Sequence, residues 1–233
     1  MQSKRSKRYV EAAKLVDPEK RYPLDEAAAL IKKFPSPKFD QTVTVSMHMG
    51  IDPKKSDQMI RSTCPLPHGS GKNVRVVVFA QGDAAAAAEA AGAEEVGFEE
   101  LVKKVQGGYQ DFDVAIATPD AMSEVRKLGR QLGPRGLMPN PKTGTVTDDT
   151  ATAVKAVKAG RVDYKLDRNG NISVGVGKLS FDPAQLVENI EAIIESVQRA
   201  KPATAKGRYI ETISITATMS PSVKVDSSKY AVN

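Results

Sequence analysis

The sequence has little of what many function classes require. Among its 233 residues there is a single cysteine, Cys64, and no tryptophan. One thiol forms no intramolecular disulfide, which fits a reducing compartment. Aromatic residues make up 5% of the chain, so a deep aromatic-lined ligand pocket is not expected. The only histidines are His48 and His68. Together with Cys64 they give no metal-ligand spacing. No uncharged apolar run reaches the length needed to cross a bilayer. The N-terminus, Met1 to Arg8, is basic but leads into no apolar signal region. The expectation is a soluble, intracellular protein. Hydrophobic residues at 40% and charged residues at 27% allow a packed core, and the length allows one or two domains.

Charge is present and unevenly placed. The chain carries 34 basic and 28 acidic residues, a net +6. Residues 1–75 are net +7, residues 76–159 net −3 and residues 160–233 net +2. The acidic middle contains one exception. From Val125 to Thr147 stand Arg126, Lys127, Arg130, Arg135 and Lys142, with no acidic residue among them. A basic patch attracts polyanions, because phosphate binding releases condensed counterions.

The hydrophobic pattern divides the chain into three. Leu24, Ala27, Ala28, Ile31 and Phe34 recur at helical spacing, and Gln41 to Met49 alternates apolar residues with hydroxyls as a strand does. Pro65, Pro67, Gly69 and Gly71 break the chain. Val74 to Ala80 is then a continuous apolar strand of the kind buried on both faces of a parallel sheet. Helix signals at Ala84–Ala91, Glu99–Gln106 and Asp149–Ala159 alternate with strand signals at Ala93–Val96 and Val114–Ala117. This βαβα rhythm predicts an inserted three-layer α/β, Rossmann-like module. After Gly160 the alternating texture returns. Val162 to Leu166 and Ile172 to Val176 flank Asn169-Gly170, a hairpin signal. Asp182-Pro183 starts a helix and Tyr209 to Met219 forms a last strand. The predicted fold is an α+β domain, a small sheet with helices packed on it, built from residues 1–71 and 160–233. Residues 72–159 form the insert.

Enzyme motifs are weak. Gly69-Ser70-Gly71-Lys72-Asn73 lacks the phosphate-loop spacing and precedes a strand instead of following one; it reads as a linker. Gly175-Val176-Gly177 lacks the third glycine of a dinucleotide fingerprint. Gln81-Gly82-Asp83 after the first insert strand is a poor phosphate cradle. A nucleotide-dependent enzyme built on the insert is the alternative these readings leave. The most distinctive stretch is Lys127 to Lys142, with three glycines and three prolines among its basic residues. Those residues are expected to prevent regular secondary structure and leave an exposed, stiff loop. Leu128, Leu132, Leu137 and Met138 would pack it, and Arg fork geometry suits phosphates.

Lys127–Lys142 closely resembles the signature of the first large-subunit ribosomal protein family, the protein of the mobile stalk beside the tRNA exit site. Lys38-Phe39-Asp40, Gly50 to Gln58, Leu66-Pro67-His68-Gly69, Phe112-Asp113, Ala117 to Asp120, Lys158 to Arg161 and Thr218-Met219 agree in order. The residues alone point to no cofactor, no metal and no catalysis, and the resemblance implies two domains joined by a hinge. It implies that the terminal domain binds large-subunit (23S) rRNA through Lys38, Phe39, Asp40, Thr216, Thr218, Met219 and Ser220. The turn residues Lys165, Asp167 and Arg168 join them. The insert would face exit-site tRNA with Arg126, Lys127, Arg130, Arg135 and Lys142 and help release it when deacylated. The protein would belong to the large (50S) subunit in the cytoplasm, be monomeric off the ribosome, avoid membranes and repress translation of its own operon mRNA. Three positions depart from the family pattern. Ser220 stands where a glycine is usual, Gln41 where a glutamate is usual, and Cys64-Pro65 differs as well.

Overall fold

The computed structural model describes residues 5–205 and 207–230, so Met1 to Lys4 of the basic N-terminal run lie outside the described residues. The chain divides into two compact units, with breaks after Gly71 and after Arg161. The first unit begins with α1 (Lys7–Lys14), α2 (Leu24–Lys32), β1 (Thr42–Met49) and β2 (Arg61–Pro65). The inserted unit runs through β3 (Val76–Phe79), α3 (Asp83–Ala90), β4 (Glu95–Gly97), α4 (Glu99–Gln106), β5 (Val114–Ala117), α5 (Met122–Val125), α6 (Gly129–Leu132) and α7 (Thr150–Lys158). The chain returns through β6 (Arg161–Lys165), β7 (Asn171–Lys178), α8 (Pro183–Arg199), β8 (Ile210–Ala217) and β9 (Val223–Val225).

In the first unit β1 lies inside a four-stranded sheet of order β7-β1-β8-β9. It pairs antiparallel with β7 on one edge and β8 on the other. Alternation decides the faces. Val43, Val45, Met47 and Met49 are buried beside Ile213, Ile215, Ile172 and Val174. Helices α2 and α8 cover that face with Ile31, Leu186, Ile190, Ile193, Ile194 and Val197. Helix α8 starts at Pro183, where the Asp182 N–H donates to Gln185 Oε1 at 3.1 Å. The glycine pair in β7 has a packing reason. The register slips between Val43 and Thr44, which face Gly177 and Gly175. A Cβ on Gly177 would stand 3.0 Å from the Phe181 ring and 3.1 Å from Leu186.

Two expectations need correction here. The strands around Asn169-Gly170 do not form a hairpin. Strand β6 pairs with β2 in a separate two-stranded sheet, while β7 joins β1. The turn itself is present, with Asp167 N bonded to Asn171 O at 2.8 Å and Gly170 at φ 78°. Asp167 Oδ1 also accepts the N–H groups of Asn169 and Asn171, at 2.8 and 2.7 Å. This side chain turns the backbone locally, and the two strands then diverge.

The second correction lies in the insert, where Arg126 to Leu132 is helical: a 3₁₀ turn over Arg126–Leu128, then α6. Val125, Leu128 and Leu132 fall at helical spacing and are buried together, and that burial overrides the propensity of Gly129. The prolines enter only from Pro134 onward, past the helix end. The remainder, up to a 3₁₀ turn at Pro141–Thr143, is the loop that composition predicts.

The insert carries a three-stranded parallel sheet of order β4-β3-β5. Val76 and Val78 pack with Ala88, Val154 and Val157 of α3 and α7. Val77 and Phe79 pack on the other side with Leu101, Val105, Leu128 and Leu132. Both faces of β3 are therefore covered, and its apolar run needs no alternation. Among the described residues no helix is long and apolar enough to cross a membrane.

Asn189 of α8 is fully buried. Its Nδ2 donates to Val176 O at 2.7 Å and Gly69 O at 3.1 Å, and its Oδ1 accepts the His68 N–H at 3.1 Å. Asn189→Leu strands these three backbone groups and is expected to lower stability by about 2 kcal/mol or more. Urea unfolding checks this, and a change below about 0.5 kcal/mol contradicts it. Cys64 is buried, and burial pushes its thiol above the usual range. Since the thiolate is the nucleophile, iodoacetamide should label Cys64 far more slowly in the native chain than in urea. Equal rates contradict the packing described.

Candidate nucleic-acid interface

The antiparallel register brings three chain segments to one end of the main sheet. Thr42 at the start of β1 faces Lys178 at the end of β7, and Val43 faces Ala217 at the end of β8. Lys38-Phe39-Asp40, Ser180 and Thr216 to Ser220 therefore gather there.

Hydrogen bonds lock this end. Gln41 continues the inward parity of Val43 and Val45 and is 2% exposed. Its Oε1 accepts the Met219 N–H at 2.8 Å, and its carbonyl accepts the Leu179 N–H at 2.8 Å. Thr218 Oγ1 accepts the Thr42 N–H at 3.2 Å and lies 3.3 Å from Thr42 O. Ser220 Oγ accepts the Ala217 N–H at 2.9 Å and lies 2.9 Å from Pro221 O. The two Asp40 oxygens accept from Ser180, from N–H at 3.2 Å and from Oγ at 2.8 Å. Within this frame Phe39 and Met219 are 47% and 52% exposed. Large apolar groups beside a bonded backbone can meet a sugar or a base with little further backbone ordering, leaving only their own rotamer freedom to be lost.

From this end a polar face extends along the sheet. Thr44, Ser46, Ser214 and Thr216 point away from the core, and Ser173 joins them across the Ser46 pair. The Ser46 and Ser173 hydroxyls are 3.0 Å apart. Lys178 Nζ donates to Thr42 Oγ1 at 3.2 Å. Hydroxyls both donate and accept, as ribose 2′-hydroxyls do.

Lys165, Asp167 and Arg168 are exposed but not beside Phe39. They flank the turn into β7, next to Asn171, which faces His48 near the far end of β1. Six residue steps along β1 separate Thr42 from His48, about 20 Å at ~3.3 Å per residue. The Asn171 and then the Asn169 N–H groups hold the Asp167 carboxyl below the usual carboxylate range. Asp167 thus serves the turn, while Lys165 and Arg168 offer charge.

In the insert, Arg126, Arg130, Arg135 and Lys142 are exposed and form no ion pair among the described residues. Lys127 differs, with its Nζ 2.8 and 2.7 Å from the Glu124 oxygens. Leu128 and Leu132 beneath them are buried, and Leu137 and Met138 pack against the same core. Asn140 Oδ1 accepts the Lys142 N–H at 2.8 Å. Among the described residues no group of three His, Cys, Asp or Glu could hold a metal ion.

A sequence description of the Ribosomal protein L1p/L10e family matches residues 31–221. The chain belongs to this family. It is also 54% identical, over 226 residues, to the large ribosomal subunit protein uL1 of Kosmotoga olearia, covering 97% of this chain and 98% of that one. As a bacterial-type ribosomal protein it resides on the ribosome, in the cytoplasm. The family consists of structural ribosomal components, not enzymes.

The sequence marks Gln41 only as a strand start and a departure from the family pattern, Thr42 only as strand surface, and Ser180 not at all. A signal for Gln41 was present: strand parity sets it inward, and a buried amide needs partners. Gln41→Leu should speed hydrogen exchange at the Met219 amide by about ten-fold, the equivalent of about 1.4 kcal/mol for one lost bond. Gln41→Glu, which keeps an acceptor, should not. Unchanged exchange in Gln41→Leu contradicts the positioning role.

Proposed function

We propose that this chain is a structural component of the large ribosomal subunit that binds rRNA of the mobile stalk with the outer face of its terminal unit. The observation that carries the reading is the hydroxyl-lined sheet face that ends in the outward-held Phe39 and Met219. Lys38, Phe39, Asp40, Thr216, Thr218, Met219 and Ser220 form one end of the footprint. Lys165, Asp167 and Arg168 lie at the other, with the Thr44, Ser46 and Ser214 hydroxyls between them. The relative from Kosmotoga olearia carries the large-subunit name along its full length, which supports the same placement here.

The inserted unit, read as Rossmann-like, turns Arg126, Lys127, Arg130, Arg135 and Lys142 toward tRNA at the exit site and assists its release. Four free cations on a packed support favour a phosphate backbone. An mRNA of the same shape would occupy the same face, so repression of the chain's own operon needs no further residues.

A transcript of the large-subunit stalk, a scrambled duplex and a salt series test the reading. The stalk transcript should survive moderate salt. The scrambled duplex should fade, with a log–log slope of roughly −0.7 to −0.9 per neutralised phosphate. Phe39→Ala should weaken stalk binding by about ten-fold, the scale of one lost stacking contact. Thr218→Ala should weaken it as well, and Thr218→Ser should restore it. Wild-type affinity in both alanine variants contradicts the interface. Neutralising Arg130 and Arg135 to Gln should leave rRNA affinity within about two-fold and slow tRNA release; lost rRNA affinity there contradicts the division between units.

A further inference from the structure

A groove between α1 and the segment after β8 is not used by the footprint above. It encloses about 220 Å³ and is lined by Arg5, Tyr9, Asp17, Pro221, Ser222 and Lys224, among others. That is smaller than the roughly 300 Å³ at which drug-sized pockets begin, a size suited to a single planar ring. Tyr9 lines it with one face of its ring under the Arg5 guanidinium, whose carbon lies 4.7 Å from the ring centroid.

Register joins this groove to the hydroxyl face. Lys224 stands opposite Ser214, and Ser214 opposite Ser46. Directly paired residues share a face of the sheet, so Lys224 continues the outward row at its β9 edge. Pro221 and Ser222 follow Ser220 in the chain, so the groove begins where the locked turn ends. The charge has the sign RNA needs. Arg5 and Lys224 line the groove, and the flanking helix α1 adds Lys7, Arg8 and Lys14 against Glu11 alone. The lining carboxylate, Asp17, is partly occupied, its Oδ1 accepting the Glu19 N–H at 2.9 Å.

We propose that this groove receives an unpaired nucleotide of the bound RNA. The base takes the place of Arg5 over the Tyr9 ring, and the released Arg5 guanidinium and Lys224 meet the phosphates that flank it. The assignment rests on the RNA reading of the sheet face and extends that footprint to a single-stranded element. Stacking on an aromatic ring tolerates any base, since every base has a π-face, so the groove would read strandedness rather than sequence.

The absence of tryptophan makes Tyr9→Trp a sole fluorescent reporter in the full chain. Its emission should fall on adding a stalk transcript with unpaired nucleotides beyond the paired region, and stay level with a flush-ended one. Tyr9→Ala should bind the overhanging transcript roughly ten-fold more weakly, the scale of one stacked base, and the flush-ended one within about two-fold of wild type. Tyr9→Phe should behave as wild type, and Lys224→Gln should reduce the salt slope by about one. Wild-type affinity of Tyr9→Ala for the overhanging transcript overturns the proposal. So does an equal loss on both transcripts, since Tyr9 would then act through the stability of α1. If Phe39→Ala weakens binding while every Tyr9 variant is neutral, the groove assignment alone falls. If the wild-type chain binds neither transcript, the RNA reading fails and the groove assignment fails with it.

Discussion

Strand β1 is hydrogen-bonded along both edges by strands from the far end of the chain. Ser46 meets Ser173 across a separation of 127 residues and Ser214 across 168. Neither terminal segment owns the sheet; each supplies strands the other needs. The cost of so distant a closure grows slowly, about 0.6 kcal/mol for each doubling of the loop. An entire unit can therefore sit between β1 and its partners, provided it closes its own cores, as the two clusters around β3 do. The same pairing fixes the surface. A slip of one residue would send Val43, Val45 and Met47 to solvent and Thr44 and Ser46 inside. The register that builds the core thus also composes the hydroxyl face, and no separate selection for that face is needed to hold it in place.

What the sequence revealed follows from that physics. Period-two alternation over 41–49 and 209–219, and the helical spacing of Leu186 to Val197, depend only on which residues prefer burial, and they could be read directly. The apolar run at Val74–Ala80 indicated burial on both faces for the same reason. Partner choice could not be read. The Asn169-Gly170 turn is real, yet β6 goes to β2, because the turn signal fixes four residues and leaves the strands beyond it to distant partners. Strand β9, at three residues, is too short for periodicity to mark, and β2 buries only Cys64 and so carries no apolar alternation. The helix at Arg126–Leu132 was hidden by glycine and proline content. Composition over sixteen residues averages a helical half with a looped half, whereas the spacing of Val125, Leu128 and Leu132 separates them. At the candidate site, the family resemblance supplied Phe39 and Thr218. Their gathering at one sheet end comes from antiparallel register, which no local pattern contains.

In the proposed function the two units would use different chemistry for anions. Exposed arginines in the insert act at a distance, are screened by salt and discriminate little between polyanions. Uncharged hydroxyls in a fixed row act only at contact, where geometry decides whether each finds a partner. A surface of the second kind can distinguish one RNA shape from another at salt concentrations where the first kind has lost its grip. Lys38, Lys165 and Arg168 at the two ends of the row add attraction without covering it.

Side-chain hydrogen bonds also build the locked end of the sheet. The acceptor beneath Met219 is the Gln41 amide, which takes this bond without placing a charge in so buried a position; the glutamate usual in the family would supply an acceptor at the same place. Asp40 is a carboxylate at this end, but both its oxygens are engaged by Ser180, which disperses its charge into the turn. Ser220 stands where the resemblance expects glycine. Its hydroxyl folds back onto Ala217 N and lies against Pro221 O, so the added side chain tightens the turn instead of projecting from it. The hydroxyl is thereby satisfied within the turn, and Met219 beside it remains an exposed apolar group of this end.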